Sequence, residues 1–129
     1  MMGLLKAAQI LERNVTVALI YAGLRVPQYR MLQAIAESDQ ITVTDISKKL
    51  NISRATASVM VNDLIRMQVI ATVESQTDRR SFHIRLTERG QNKLLVARKD
   101  LNALTQGLTN RIPQDLVTAL NEFVRIVTD

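Results

Sequence analysis

Two clusters of residues in this sequence have the types and spacing to meet a polyanion. Asp78-Arg79-Arg80 sets two guanidinium groups side by side in a polar stretch between two alternating segments. No hydrophobic core asks for paired arginines there, and arginine suits a narrow, strongly negative groove. Asp78 would itself repel phosphate, so its expected task is to brace the loop by accepting hydrogen bonds from backbone N–H groups or from Arg80. The second cluster, Ser53-Arg54-Ala55-Thr56-Ala57-Ser58, is short, hydroxylated and basic. Small residues let a backbone approach closely, hydroxyls serve bases or phosphates, and arginine can grip guanine through two hydrogen bonds. An ordinary capped amphipathic helix would explain Ser53 and Ala57 but not this polar face. Asn62 joins the set further along the same segment. Lys48 and Lys49, just upstream, suit phosphates equally well as they suit solubility.

The charge is placed to match. Between Thr42 and Lys99 there are eleven Lys and Arg against five Asp and Glu, a balance of +6; the rest of the chain has six against seven, a balance of −1. The excess positive charge therefore belongs to one middle segment, which neutralised phosphates would reward by releasing counterions. Several chemistries are excluded. Without cysteine there is no disulfide, thiolate metal site or thiol sensor, and one histidine, His83, cannot make a multi-histidine metal site. No cofactor or metal is expected. Gly-rich phosphate loops and recognisable Ser/His/acid motifs are missing, so catalysis is not expected. The apolar run Val15–Leu24 is half the roughly 20 residues a bilayer span needs. No secretory pattern is visible, and Gly3 rather than a glycine at position 2 argues against myristoylation. The expected location is cytoplasmic, with no membrane partner.

The residues around these clusters define the elements that must position them. Leu4, Leu5, Ala8, Leu11, Val15, Ala18, Leu19 and Ala22 recur at helical spacing and predict a helix from Leu4 to about Leu24. Ile10, Val17, Ile20 and Tyr21 make its other side apolar too, which calls for burial, in a small protein often against a second chain. Pro27 opens a helix Pro27–Glu37 with Met31, Leu32 and Ile35 inward. Thr42-Val43-Thr44-Asp45 reads as a capping box opening Val43–Leu50. Asn51 tolerates the left-handed backbone of a tight turn. Ser53 caps a helix running to about Met67, with Ala57, Val61 and Leu64 inward. Two helices joined by about three residues are a helix-turn-helix. Ile70–Val73 and Phe82–Leu86 alternate as half-buried strands around the loop 74–81, forming a β-hairpin wing. Thr87 caps a long helix from Glu88 to about Leu108, on which Arg89, Lys93, Arg98 and Lys99 read as solvated face. Pro113 starts a last helix with Leu116, Leu120, Phe123, Val124 and Val127. The fold expected is mostly α with a small β-hairpin wing: a winged helix-turn-helix flanked by helical ends. It forms a single domain over 1–129, with a DNA-binding lobe at 27–90 and a dimerisation region at 1–24 and 91–129.

From about Val26 to Gly90 the sequence resembles the MarR family (multiple antibiotic resistance regulators) of winged helix-turn-helix transcription regulators. Thr77-Asp78-Arg79-Arg80-Ser81-Phe82-His83-Ile84-Arg85-Leu86-Thr87-Glu88-Arg89-Gly90 matches the wing with its Asp-x-Arg element and the Leu-Thr-x-x-Gly that follows. Thr44 through Ser53 match the first helix and turn, and Thr56 through Leu64 the reader helix. The resemblance implies a homodimer on a palindromic double-stranded DNA operator. It also implies repression, often relieved by small phenolic or other lipophilic effectors. Carried over, Arg80 would enter the minor groove, Asp78 would brace the wing, and Arg54, Thr56 and Ser58 would face the major groove. The chain departs from the family at Gln68, where glycine is usual, so a left-handed backbone there would cost about 1 kcal/mol. It departs again at Val59, Ile65 and Met67, commonly polar positions. These three leave a second reading open, a winged-helix module for protein–protein contact without operator reading.

Overall fold

A computed structural model of the chain describes residues 2–74 and 82–128. The elements run α1 (Met2–Ala18), α2 (Val26–Ala36), α3 (Val43–Lys49), α4 (Arg54–Arg66), β1 (Ile70–Glu74), β2 (Phe82–Leu86), α5 (Glu88–Thr109) and α6 (Gln114–Thr128). The two strands pair antiparallel in the register Ile70 to Leu86, Thr72 to Ile84 and Glu74 to Phe82. A short bridge between Ile41 and Ile84 ties the segment before α3 onto the sheet, with the Ile84 N–H donating to the Ile41 carbonyl at 2.8 Å. This is the expected mostly helical winged fold.

The core lies where α2, α3, α4, the hairpin and the first half of α5 converge. Met31, Leu32, Ile46, Leu64, Val69 and Ile84 are its largest buried side chains from these elements, joined by Leu94 and Ala97 of α5. Each comes from the inward position that helical or strand periodicity assigns it, except Val69, which is buried from the turn between α4 and β1.

Three helix starts are fixed by side-chain caps. Thr42 and Asp45 form a reciprocal box, with the Asp45 N–H donating to Thr42 Oγ1 at 3.1 Å and the Thr42 N–H to Asp45 Oδ2 at 3.0 Å. Those hydrogen bonds, the backbone one first, hold the Asp45 carboxyl below the usual carboxylate range. Ser53 accepts from the Thr56 N–H at 3.0 Å and Thr87 from the Gly90 N–H at 3.1 Å.

Two helix ends turn through left-handed residues. Asn51 has φ +54° and Gln68 φ +61°. In both places the N–H two residues past the cap reaches back into the last turn, Ile52 to Ser47 O at 3.0 Å and Val69 to Leu64 O at 3.2 Å. Asparagine tolerates that backbone; glutamine does so at a cost of about 1–2 kcal/mol. Gln68→Gly is therefore expected to stabilise the protein. The extra freedom of glycine in the unfolded chain gives back roughly 0.4–1 kcal/mol, leaving a net gain of up to about 1.6 kcal/mol in a urea melt.

The first helix is shorter than its periodicity predicts. It ends at Ala18, and residues 19–23 form successive turns closed by the Gly23 N–H to Ile20 O at 2.9 Å, with Gly23 itself at φ +68°. Leu19, Ala22 and Leu24 are apolar at the spacing expected of a helix, but they are buried in the core by a turn instead.

Candidate nucleic-acid interface

The helix-turn-helix is held rigidly from beneath. Ile46 of α3 is buried, as are Ala57, Val61 and Leu64 of α4, so α4 is pinned by one stripe and leaves the opposite face free. At 3.6 residues per turn, the steps of four, three and four residues through Ala55, Val59, Asn62 and Arg66 make one line directly opposite that stripe. All four are exposed. Thr56 and Ser58 flank the line on either side, and Arg54 stands at the first turn, exposed.

The hydroxyls at the start of α4 are differently engaged. Ser53 is occupied as the cap, and its O–H donates to Thr56 Oγ1 at 2.8 Å. Thr56 therefore accepts from Ser53 and keeps its own O–H to donate outward. Arg54 and Asn62 make no hydrogen bond or ion pair among the described residues, whereas the Arg66 guanidinium lies 3.3 Å from Asp63 Oδ1. Arg54 and Thr56 stand in the first turn of α4, the end that a recognition helix directs at base edges, and Asn62 lies two turns further along.

Below α4, Lys48 is exposed and Lys49 is not free. Lys49 Nζ donates to Glu37 Oε2 at 3.2 Å across from α2. Glu37 also accepts from Gln33 Nε2 at 2.9 Å, and Gln33 Oε1 in turn accepts from Arg98 Nε of α5 at 3.0 Å. Gln33 first and Lys49 second hold the Glu37 carboxyl below its ordinary range. Sequence reading missed this chain of four residues, and placed Arg98 and Lys93 on a solvated face. Arg98 instead bridges to α2, and Lys93 Nζ donates to the Ala22 carbonyl at 2.8 Å, locking α5 to the turn after α1. Only helical spacing within α2, Gln33 to Glu37, gave a local signal.

Asp78, Arg79 and Arg80 lie outside the described residues. The strands on either side bring the ends of that segment together, with Glu74 opposite Phe82. Next to it His83 is half-buried in β2, a strand residue as its position suggests, and Arg85 is exposed. Of the three apolar departures, Val59 is 61% exposed and Ile65 is 37% exposed. Met67 turns back instead, its Sδ accepting from Gln28 Nε2 of α2 at 3.8 Å.

Residues 22–81, which hold α2, the helix-turn-helix and the first strand, match the family model described as MarR family. This winged-helix segment is similar to the MarR family. MarR-family proteins are DNA-binding regulators, not enzymes. Solved structures align with nearly the whole chain. The transcriptional repressor CouR bound to a 23-mer DNA duplex is 22% identical, covers 98% of this chain and 90% of its own, and has a TM-score of 0.90. A MarR variant from E. coli complexed with operator DNA is 20% identical, covering 98% and 91%, with a TM-score of 0.86. Streptococcus pneumoniae FabT in complex with DNA is 18% identical, covering 98% and 94%, with a TM-score of 0.81. At these identities the agreement is one of fold, and it extends through α1, α5 and α6, beyond the matched MarR segment. No curated protein matches the chain by sequence.

Proposed function

We propose that this chain is a sequence-specific, double-stranded-DNA-binding transcription regulator that acts as a homodimer on a palindromic operator. The observation that carries the reading is the outward face of α4. Asn62 lies on it, Thr56 and Ser58 flank it and Arg54 is exposed at its first turn, donors and acceptors without an intramolecular role sufficient to explain them. Lys48 adds exposed charge on α3, and Asp78, Arg79 and Arg80 belong to the same stretch of sequence, 42–99, whose balance is +6. The DNA-bound state of CouR, of the E. coli MarR variant and of FabT supports the same use of the fold.

The dimer reading rests on the ends of the chain, 1–24 and 91–129, around the lobe at 27–90. Neither α1 nor α6 contains a buried residue, although both carry apolar stripes. Repression and a small lipophilic or phenolic effector complete the proposal. A cleft of about 590 Å³ between α2, β2 and α5, lined by Ile35, Leu86, Leu94 and Leu95 with Arg85 and Arg98, is the size such a ligand needs. Among the described residues no helix is long and apolar enough to cross a membrane, and we place the protein in the cytoplasm.

Fluorescence anisotropy of a labelled duplex from just upstream of the protein's own gene tests the proposal, with random duplex as competitor. Saturable binding that resists competitor is expected. Its affinity should fall by about a thousandfold between 50 and 200 mM salt if each dimer neutralises about six phosphates or more. Exposed Val59 and Ile65 favour the second reading, a protein-binding winged helix. A genome-wide selection of bound DNA fragments that yields no enriched site would decide for it.

A further inference from the structure

We propose that Val59 is a specificity-determining residue that reads the methyl group of one thymine in each operator half-site. The inference rests on the DNA-binding reading above and names what the middle of the reader face recognises. Val59 lies on the line Ala55–Val59–Asn62–Arg66, opposite the buried stripe of Ala57, Val61 and Leu64, and is 61% exposed. It is a β-branched apolar side chain, among the poorer helix formers, at a position where no other element of the described chain covers it. Ala55, one turn before it, has no side chain beyond Cβ to hold a partner away. Asn62, three residues on, is exposed and without an intramolecular hydrogen bond among the described residues.

The chemistry of the groove narrows the partner. In the major groove nearly every base edge presents hydrogen-bonding groups, and an isopropyl group pressed on them would leave them unsatisfied. Thymine is the exception, because its C5 methyl projects into the groove beside a single acceptor. Asn62 can hold adenine N6 and N7 through two hydrogen bonds. A methyl reader and an amide on one ridge, one turn apart, therefore fit an A·T-rich step. Ile65 sits off this line, on the flank of α4, and has no part in it.

The test replaces each operator thymine in turn by deoxyuridine, which removes only the methyl group, and reads the dissociation constant by anisotropy. For the unaltered protein one thymine per half-site should be sensitive. Losing that methyl should weaken binding about fourfold per half-site, the worth of about one apolar carbon returned to water. Val59→Ala, which removes two methyl groups from an exposed position and improves helix propensity, should keep the melting temperature. It should bind thymine and uracil equally at that position while keeping its sensitivity to every other base change. If the unaltered protein binds its operator but no thymine is methyl-sensitive, the inference fails and the DNA-binding reading stands. The same holds if Val59→Ala discriminates the methyl as well as the parent. Failure of the unaltered protein to bind any site would overturn both.

Discussion

Gly90→Ala is expected to destabilise the protein by about 3 kcal/mol or more, a large part of the roughly 5–15 kcal/mol that holds a domain folded. In an ordinary helix the same substitution stabilises by about 1 kcal/mol, because glycine loses more backbone freedom on folding. The sign inverts here because of what lies against the first turn of α5. A Cβ built on Gly90 would overlap the Val69 carbonyl oxygen and stand 2.9 Å from its carbonyl carbon. Those are backbone atoms that no rotamer change can move. The same carbonyl accepts the Thr87 N–H at 3.0 Å, and Thr87 Oγ1 donates to the Gln68 carbonyl at 2.7 Å. Pushing α5 away would break both contacts and pull Leu94 and Ala97 out of the core. Gly107 of the same helix is the internal control: nothing lies within 4 Å of its Cβ position, so Gly107→Ala should stabilise by up to about 1 kcal/mol. Urea melts of the two variants beside the parent check this. Equal midpoints for Gly90→Ala and the parent would mean that α5 can shift on the Gln68–Val69 turn at little cost.

The second large effect is expected on assembly. Leu116, Leu120, Phe123, Val124 and Val127 of α6 form one apolar stripe, and each is roughly half exposed in the single chain. Combining Leu120→Glu with Val124→Glu puts two carboxylates into that stripe. In an isolated chain the change is nearly neutral, because neither side chain is buried. In a homodimer held by the terminal helices it would bury unpaired charge, and the dimer should dissociate to the 14.5 kDa chain in sedimentation. Two half-sites then cannot be held by one particle. Linking two binding modules raises affinity by about 10²–10⁴, so operator affinity should fall by about a hundredfold or more. Circular dichroism separates this from unfolding. A variant that keeps both its dimer mass and its operator affinity would place the self-contact elsewhere.

The parts of the fold legible in the sequence are those whose physical cause spans three or four residues. Thr42 with Asp45, Ser53 with Thr56 and Thr87 with Gly90 are caps in which donor and acceptor lie three residues apart. Asn51 announces its own left-handed turn, and alternation alone finds both strands. The candidate reader residues were legible for the same reason, since inward Ala57, Val61 and Leu64 dictate which residues of one helix face out. The end of α1 was not legible, because Leu19, Ala22 and Leu24 look the same in a buried turn as in a helix. Nor were the contacts that position the interface: Lys49 with Glu37 is 12 residues apart, Arg98 with Gln33 65, and Lys93 with the Ala22 carbonyl 71. Gln68 shows both sides at once. Its residue type argues against φ +61°, yet the close approach of Gly90 to Val69 and the Thr87 hydrogen bond to its carbonyl hold the turn there. Local chemistry determined where elements begin and which face each one buries. Only tertiary packing, which brings distant atoms within van der Waals and hydrogen-bonding range, decided where α1 stops, which cations are already occupied, and which glycine cannot be replaced.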